Sequence, residues 1–276
     1  MHKIAKYVKI KLHTRGKKII LEFSKITALF DLHGKTAIIT GASSGLWGAQ
    51  FARCLSGAGA RVILAACRID KLNTLAVELG HAKAIQMDVS DQQSVKNCFT
   101  ELEQAGEKID ICVNNAGIAI LTPIFEEDDN DNFESIIHTN LMGVWYVTKA
   151  VANHMKSLGI YGSIINIGSV NGDAIPAKCG AAYSFSKSAV IHLTKTLVGE
   201  LSPHKIRINC ISPGWIRTPM NGPDLEQIIS LIPYGNIAGP TDLDGLILYL
   251  ASNNASKYVT GATFTIDGGI SWGGKS

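Results

Sequence analysis

From Phe30 onward, short unbroken apolar runs alternate with longer stretches of helical periodicity. Thr36–Thr40 reads as a buried strand, followed by a glycine-rich turn and a helix to about Ala58. Six further runs follow: Arg61–Ala66, Ala84–Met87, Ile109–Val113, Ser163–Ile167, Ile206–Ile211 and Thr263–Ile266. These strands are apolar at consecutive positions, not at every second one, so both of their faces are covered. Helices between such strands require parallel pairing, because the chain must cross back before the next strand begins. The pattern predicts an α/β fold: a doubly wound, seven-stranded parallel sheet with helices on both faces, in one domain spanning residues 31–276.

The first 30 residues break this pattern. Lys3, Lys6, Lys9, Lys11, Arg15, Lys17, Lys18 and Lys25 face one acid, Glu22, with mixed periodicity. A flexible or partly helical basic extension is the favoured expectation. An interfacial amphipathic segment is the second, since Ile4, Val8, Ile10, Leu12 and Ile19–Leu21 intersperse the lysines. A transit peptide is third, because such segments favour Arg and Ser over Lys, and no uninterrupted apolar h-region marks a secretory signal.

Composition changes the picture little. The 276 residues are 46% hydrophobic and 18% charged, as expected of a globular chain able to bury a core. The net charge of +3 is carried by the N-terminal segment. The remainder is slightly acidic and offers no nucleic-acid surface. Cys54, Cys67, Cys98, Cys112, Cys179 and Cys210 are widely spaced, without a C-x-x-C pair or an adjoining histidine cluster. That spacing argues against a zinc site and for a reducing compartment, so a cytoplasmic location is expected. No apolar stretch reaches the length of a membrane span.

The chemistry concentrates in Tyr183-Ser184-Phe185-Ser186-Lys187, preceded by Ser169. Residues four apart share a helix face. A lysine ammonium beside a phenol favours the phenolate, lowering a pKa of about 10. A phenol so tuned can exchange a proton with a hydroxyl or carbonyl oxygen near neutral pH. Upstream, Thr40-Gly41-Ala42-Ser43-Ser44-Gly45-Leu46-Trp47-Gly48 joins the first strand to the first helix. Glycines there admit a pyrophosphate, and the helix N-terminus presents free N–H groups to it.

These motifs, together with Asn114-Asn115-Ala116-Gly117, Asn140 and Pro213-Gly214, make the stretch from Leu32 to Gly269 resemble the short-chain dehydrogenase/reductase family. The resemblance implies a Rossmann-type, nicotinamide-dependent oxidoreductase that interconverts a secondary alcohol and a ketone. It implies Tyr183 as general acid/base, Lys187 as the group that lowers its pKa and binds the nicotinamide ribose, Ser169 as the polariser of the substrate oxygen, and Asn140 as support for a water-linked proton path. It further implies cofactor contacts from Gly41 through Leu46, from Gly48, and from Asp88 and Val89 beside the adenine. Asn115, Ala116 and Gly117 should line the cleft, and Pro213, Gly214, Ile216 and Thr218 should close on the nicotinamide. A homotetramer is implied as well, with the Asn140 and Tyr183 helices and the C-terminal region at its interfaces.

Two departures from the family pattern stand out. Trp47 occupies the place of the third glycine and Gly48 follows it, so Gly45 to Gly59 spans 14 positions, one more than expected. Carried into the helix, one extra residue would rotate the apolar stripe of Ala49, Ala52 and Leu55 by about 100°. The turn is therefore expected to absorb it as a local bulge. The interval from Ser169 to Tyr183 is also longer by about one, in a loop expected to lie harmlessly on the surface. Cofactor choice turns on Arg68, which ends the second strand where users of NAD carry an acid. Arg68 can pair with a 2′-phosphate, so NADP(H) is favoured and NAD(H) stays open, Cys67 and Ser44 standing where other NADP users carry basic groups. The segment from Pro219 to Ile232 is expected to be a short substrate lid fitting small or medium substrates, and Glu126–Asp129 a solvated acidic run. The alternative reading is a nucleotide-binding sensor or scaffold whose turnover the Trp47 insertion impairs.

Overall fold

Every strand expected from the apolar runs forms, with ends displaced by no more than two residues, in a computed structural model that describes residues 9–14, 17–43, 46–125, 132–175, 177–217 and 225–273. In chain order the sheet strands are β3 (Thr36–Thr40), β4 (Arg61–Ala66), β5 (Lys83–Gln86), β6 (Ile111–Asn114), β7 (Ser163–Ile167), β8 (Arg207–Pro213) and β9 (Thr263–Ile266). They pair in the order β5-β4-β3-β6-β7-β8-β9, and every pair is parallel.

Strands β1 (Lys9–Thr14) and β2 (Lys17–Glu22) precede the sheet and pair with each other alone, antiparallel, with Lys9 opposite Glu22. Where a flexible or partly helical extension is expected, the described residues 9–14 and 17–22 thus form a hairpin, and among the described residues of this segment helix is found in α1 (Phe23–Thr27) and the turn after it. The β-branched run at Ile19-Ile20 favours strand over helix. The end of this segment is tied to the domain: the Leu29 carbonyl accepts from Ser252 Oγ at 2.5 Å.

Helices α2 (Leu46–Gly57), α3 (Ile69–Leu79), α4 (Gln92–Gln104), α5 (Asn132–Ile137), α6 (Gly143–Ser157), α7 (Ala181–Thr196), α8 (Val198–Leu201), α9 (Leu225–Leu231) and α10 (Asp244–Ala251) complete the layers. Because side chains alternate along a strand, consecutive apolar residues feed two cores. Ile39, Leu64, Val113, Ile165 and Ile211 pack with α2, α3 and α10. Ile38, Ile63, Cys112, Ile164 and Ile208 pack with α4, α6 and the residues after α7. Among the described residues no helix is long and apolar enough to cross a membrane.

The extra residue at Trp47 does not propagate. Gly48, Phe51, Ala52 and Leu55 are the buried positions of α2, while Ala49 is half-buried. The helix is in register from Gly48 onward, with its apolar face on the sheet. The order in which strands are added reverses between β3 and β6, so their carboxyl ends open a crevice at the switch point.

Candidate active site

The crevice is built first by glycines. Gly41 has φ +68°, and a Cβ there would lie 2.7 Å from the Ala116 Cα. At Gly48 a Cβ would lie 2.7 Å from the Gly41 carbonyl oxygen and 2.8 Å from Asn115 Nδ2. Only glycine admits this approach of turn, helix and strand end. Thr40 Oγ1 latches the two sides by accepting from the backbone N–H groups of Asn115 and Ala116, each at 3.0 Å, and Asn115 Nδ2 donates to the Thr40 carbonyl at 3.0 Å. Gly48 therefore performs the close packing expected of the third glycine. Ala42 is buried beneath the turn, and α2 begins at Leu46. Ser44 and Gly45 lie outside the described residues, as do Thr218 and the Glu126–Asp129 run.

A cleft of about 420 Å³ opens over this turn. Gly41, Ser43, Gly48, Arg68, Asp88, Val89, Asn115, Ala116 and Gly117, all expected there, line it, and Trp47 and Cys67 join them. The exposed Arg68 guanidinium reaches back across the mouth to the Ser43 carbonyl, with Nη2 at 3.5 Å. Asp88 Oδ1 accepts from the backbone N–H and hydroxyl of Ser90 at 2.9 and 2.7 Å. Partial burial, and then the nearby charge of Asp88, push the Cys67 thiol up from its ordinary pKa. A glycine cradle at a helix N-terminus, an arginine at one end and a carboxamide-lined strand end at the other fit an extended dinucleotide.

At Gly117 the cleft meets a second cluster. A Cβ there would lie 3.2 Å from Asn140 Oδ1 and 3.5 Å from Lys187 Nζ. Asn140 is fully buried in a π turn (His138–Met142) between α5 and α6, where a plain helical residue was expected. Its amide is held at both ends: Oδ1 accepts from Ile118 N–H at 2.8 Å, while Nδ2 donates to the Ile118 carbonyl at 2.8 Å and to Ser186 Oγ at 3.2 Å. The wide turn carries this side chain out of the helical ladder, a use of π geometry that recurs at functional sites.

Lys187 is 5% exposed and its Nζ donates to the Ile167 carbonyl at 2.8 Å. The same ammonium lies 5.8 Å from the ring centroid of the half-buried Tyr183, one turn earlier on α7. Ser169, 6% exposed, caps the short turn after β7, its Oγ accepting from Asn171 N–H at 3.2 Å. Beneath the cluster, Asn114 Nδ2 donates to Thr148 Oγ1 and Asn166 Oδ1 at 2.9 and 2.8 Å. Asn166 Nδ2 continues the ladder to Thr194 Oγ1 at 3.0 Å, so the strands fix α6 and α7 relative to one another.

Pro213 ends β8 and Gly214 packs on Asp267, where a Cβ would approach its Cα to 2.7 Å. Ile216 pairs with Ala238 in an isolated bridge. These three lie beyond the lining of the cleft, at the carboxyl edge of the sheet. The sequence reading did not single out Thr40, Ser186 or Gly172 for the site. A Cβ on Gly172 would fall 2.5 Å from the Lys187 carbonyl carbon, a contact between residues distant in sequence that no local pattern announces. The loop from Asn171 to Gly180, expected to be harmless, thus bears on the site through Gly172.

Cys179, in the same loop, adopts φ +55° without being glycine. A left-handed residue with a Cβ costs about 1–2 kcal/mol, partly offset in a Cys179→Gly chain by greater unfolded-state freedom. Cys179→Gly is expected to raise the melting temperature by about 2 °C, and a lower melting temperature would refute the strain.

Comparison with known proteins bears directly on this arrangement. The family model described as enoyl-(acyl carrier protein) reductase matches residues 41–271. Oxidoreductase UcpA of Salmonella typhimurium is 38% identical over 254 residues, covering 86% of this chain and 95% of that protein. Among solved structures, a short-chain type dehydrogenase/reductase from Mycobacterium marinum superposes with a TM-score of 0.83 at 39% identity, covering 89% of this chain and 98% of the other. A gluconate 5-dehydrogenase from Burkholderia cenocepacia, solved in complex with NADP and tartrate, superposes equally well at 32% identity and the same coverage. On this family model and these relatives, the chain belongs to the short-chain dehydrogenase/reductase family of oxidoreductases.

Proposed function

We propose that this protein interconverts a secondary alcohol and a ketone with NADP(H) as the preferred hydride partner. The single observation that carries the reading is the joining of the cleft to the Asn140–Tyr183–Lys187 cluster at Gly117. When bound, a nicotinamide dinucleotide supplies or accepts the hydride. The substrate oxygen must gain or lose a proton in step, and the Tyr183 phenol is the group placed to exchange it. Lys187, anchored on the Ile167 carbonyl beside the Tyr183 ring, is the cation placed to hold the nicotinamide ribose, Ser169 Oγ orients the substrate oxygen, and the fixed Asn140 amide supports the path by which the proton reaches solvent. Gly41, Gly48 and the N-terminus of α2 hold the diphosphate.

The preference for NADP(H) rests on Arg68 at the mouth of the cleft. Arg68→Ala is expected to weaken NADPH binding by about 10- to 100-fold, as for loss of a charge-assisted hydrogen bond, and NADH binding by no more than about twofold. Titration of the wild type and Arg68→Ala with each nucleotide checks this, and equal losses would overturn the preference. The reaction class is tested by NADPH consumption over a panel of ketones, where no turnover with any ketone counts against it.

The reading takes residues 31–276 as the catalytic domain, residues 1–30 as an appended basic segment, and the cytoplasm as the site of action, in keeping with six free thiols. A homotetramer is supported by apolar surface on the site helices. Phe133 and Phe185, both more than half exposed, stack at 6.4 Å, and Leu121, Ile124 and Phe125 are exposed in the adjoining loop. The sensor or scaffold alternative finds no favouring observation, since Gly48 keeps the cradle intact.

A further inference from the structure

We propose that Trp47, the residue inserted into the glycine turn, is itself a cofactor-binding residue whose indole forms a wall of the adenosine end of the cleft. The inference rests on the dinucleotide reading above and adds to it a contact that the glycine pattern does not supply. Trp47 lines the cleft with Ser43, Ala66, Cys67 and Arg68, the residues at the carboxyl end of β4 and the turn facing it. The indole is half-buried and held from behind: its ring lies 5.6 Å from that of the fully buried Phe51, with the planes at 75°. Such an edge contact fixes the indole before any ligand arrives, so little ordering is left for binding to oppose.

The insertion does not plug the site, because Gly48, and not Trp47, occupies the close approach to Gly41 and Asn115. The diphosphate cradle and the aromatic wall are therefore adjacent and compatible. A flat aromatic surface recognises a nucleoside through its faces and ring edges, whether or not the ribose carries a 2′-phosphate. Trp47 and Arg68 then have separable roles, the indole serving both nucleotides and the guanidinium discriminating between them.

The test is titration of the wild type, Trp47→Ala and Trp47→Phe with NADPH and NADH, followed by calorimetry and by intrinsic fluorescence. Trp47→Ala is expected to weaken both nucleotides in equal proportion, by about five- to tenfold, and Trp47→Phe to restore most of the affinity. The chain has three other tryptophans, Trp145, Trp215 and Trp272. Emission quenched by nucleotide should accordingly fall in Trp47→Phe while its affinity stays near the wild type's. Melting temperatures without nucleotide separate loss of the Phe51 contact from loss of the wall. Unchanged or tighter binding by a folded Trp47→Ala, with normal binding by the wild type, overturns this inference alone. Failure of the wild type to bind either nucleotide overturns the dinucleotide reading, and this inference with it.

Discussion

Tyr183→Phe is expected to lower kcat by about 10²- to 10⁴-fold, the range that a positioned general acid/base contributes, while leaving NADPH binding within about fivefold of the wild type. The substitution removes one oxygen and keeps the ring that α7 places 5.8 Å from Lys187 Nζ. Packing is thereby preserved, and the buried lysine keeps its bond to the Ile167 carbonyl. The loss should fall on the chemical step, because hydride delivery to a carbonyl carbon builds negative charge on the oxygen, and a proton supplied in step lowers that barrier. Parallel measurement of kcat and nucleotide affinity checks this. Unchanged turnover of any ketone would remove Tyr183 from the mechanism, and a matching loss of affinity would assign it to binding instead.

The parts of this site that sequence made legible are those whose physics is local. Unbroken apolar runs, covered on both faces, marked the seven strands, since the neighbours Ile38 and Ile39 each meet a separate core. The Tyr183–Lys187 spacing is a property of one helix, and the Gly41–Gly48 turn a property of one strand–helix connection. The consequence of the Trp47 insertion was also local. An exposed core face on α2 would have cost far more than a distorted turn, and Gly48 took the packing position.

What escaped depends on contacts between distant segments. Nothing near residue 140 announces a π turn, because the turn is held by Ile118 and Ser186, 22 residues before and 46 after it. At Ile109–Asp110, where β6 begins two residues later than expected, the Asp110 carboxylate accepts from Thr36 N–H at 3.0 Å and pairs with Lys35 at 2.9 Å, contacts to a segment 74 and 75 residues away. The N-terminal hairpin is another such case. Its apolar residues intersperse lysines with mixed periodicity, and a strand pair emerges only from the pairing of Ile10 with Leu21 and of Leu12 with Ile19.

Gly172 shows most sharply why a surface loop cannot be judged from its sequence. A Cβ there would lie 2.5 Å from both the Lys187 carbonyl carbon and the Ser188 nitrogen, and 2.8 Å from Lys187 Cβ. None of these is the far end of a flexible side chain, so Gly172→Ala must move either the turn that carries Ser169 or the α7 backbone at Lys187. Overpacking of this kind costs about 2–3 kcal/mol, which for a domain of this size lowers the melting temperature by about 5–10 °C. The larger effect falls on the reaction. Ser169 lies three residues before Gly172, and Tyr183 one helical turn before Lys187, so forcing the two segments apart separates the hydroxyl proposed to orient the substrate oxygen from the phenol proposed to exchange its proton. A displacement of about 1 Å in such a pair can cost on the order of 100-fold in rate. We expect kcat of Gly172→Ala to fall by about that factor even below its melting temperature, with Gly199→Ala, where a Cβ meets nothing within 4 Å, as the neutral control. Wild-type turnover by a folded Gly172→Ala would show that the spacing of turn and helix does not set the rate.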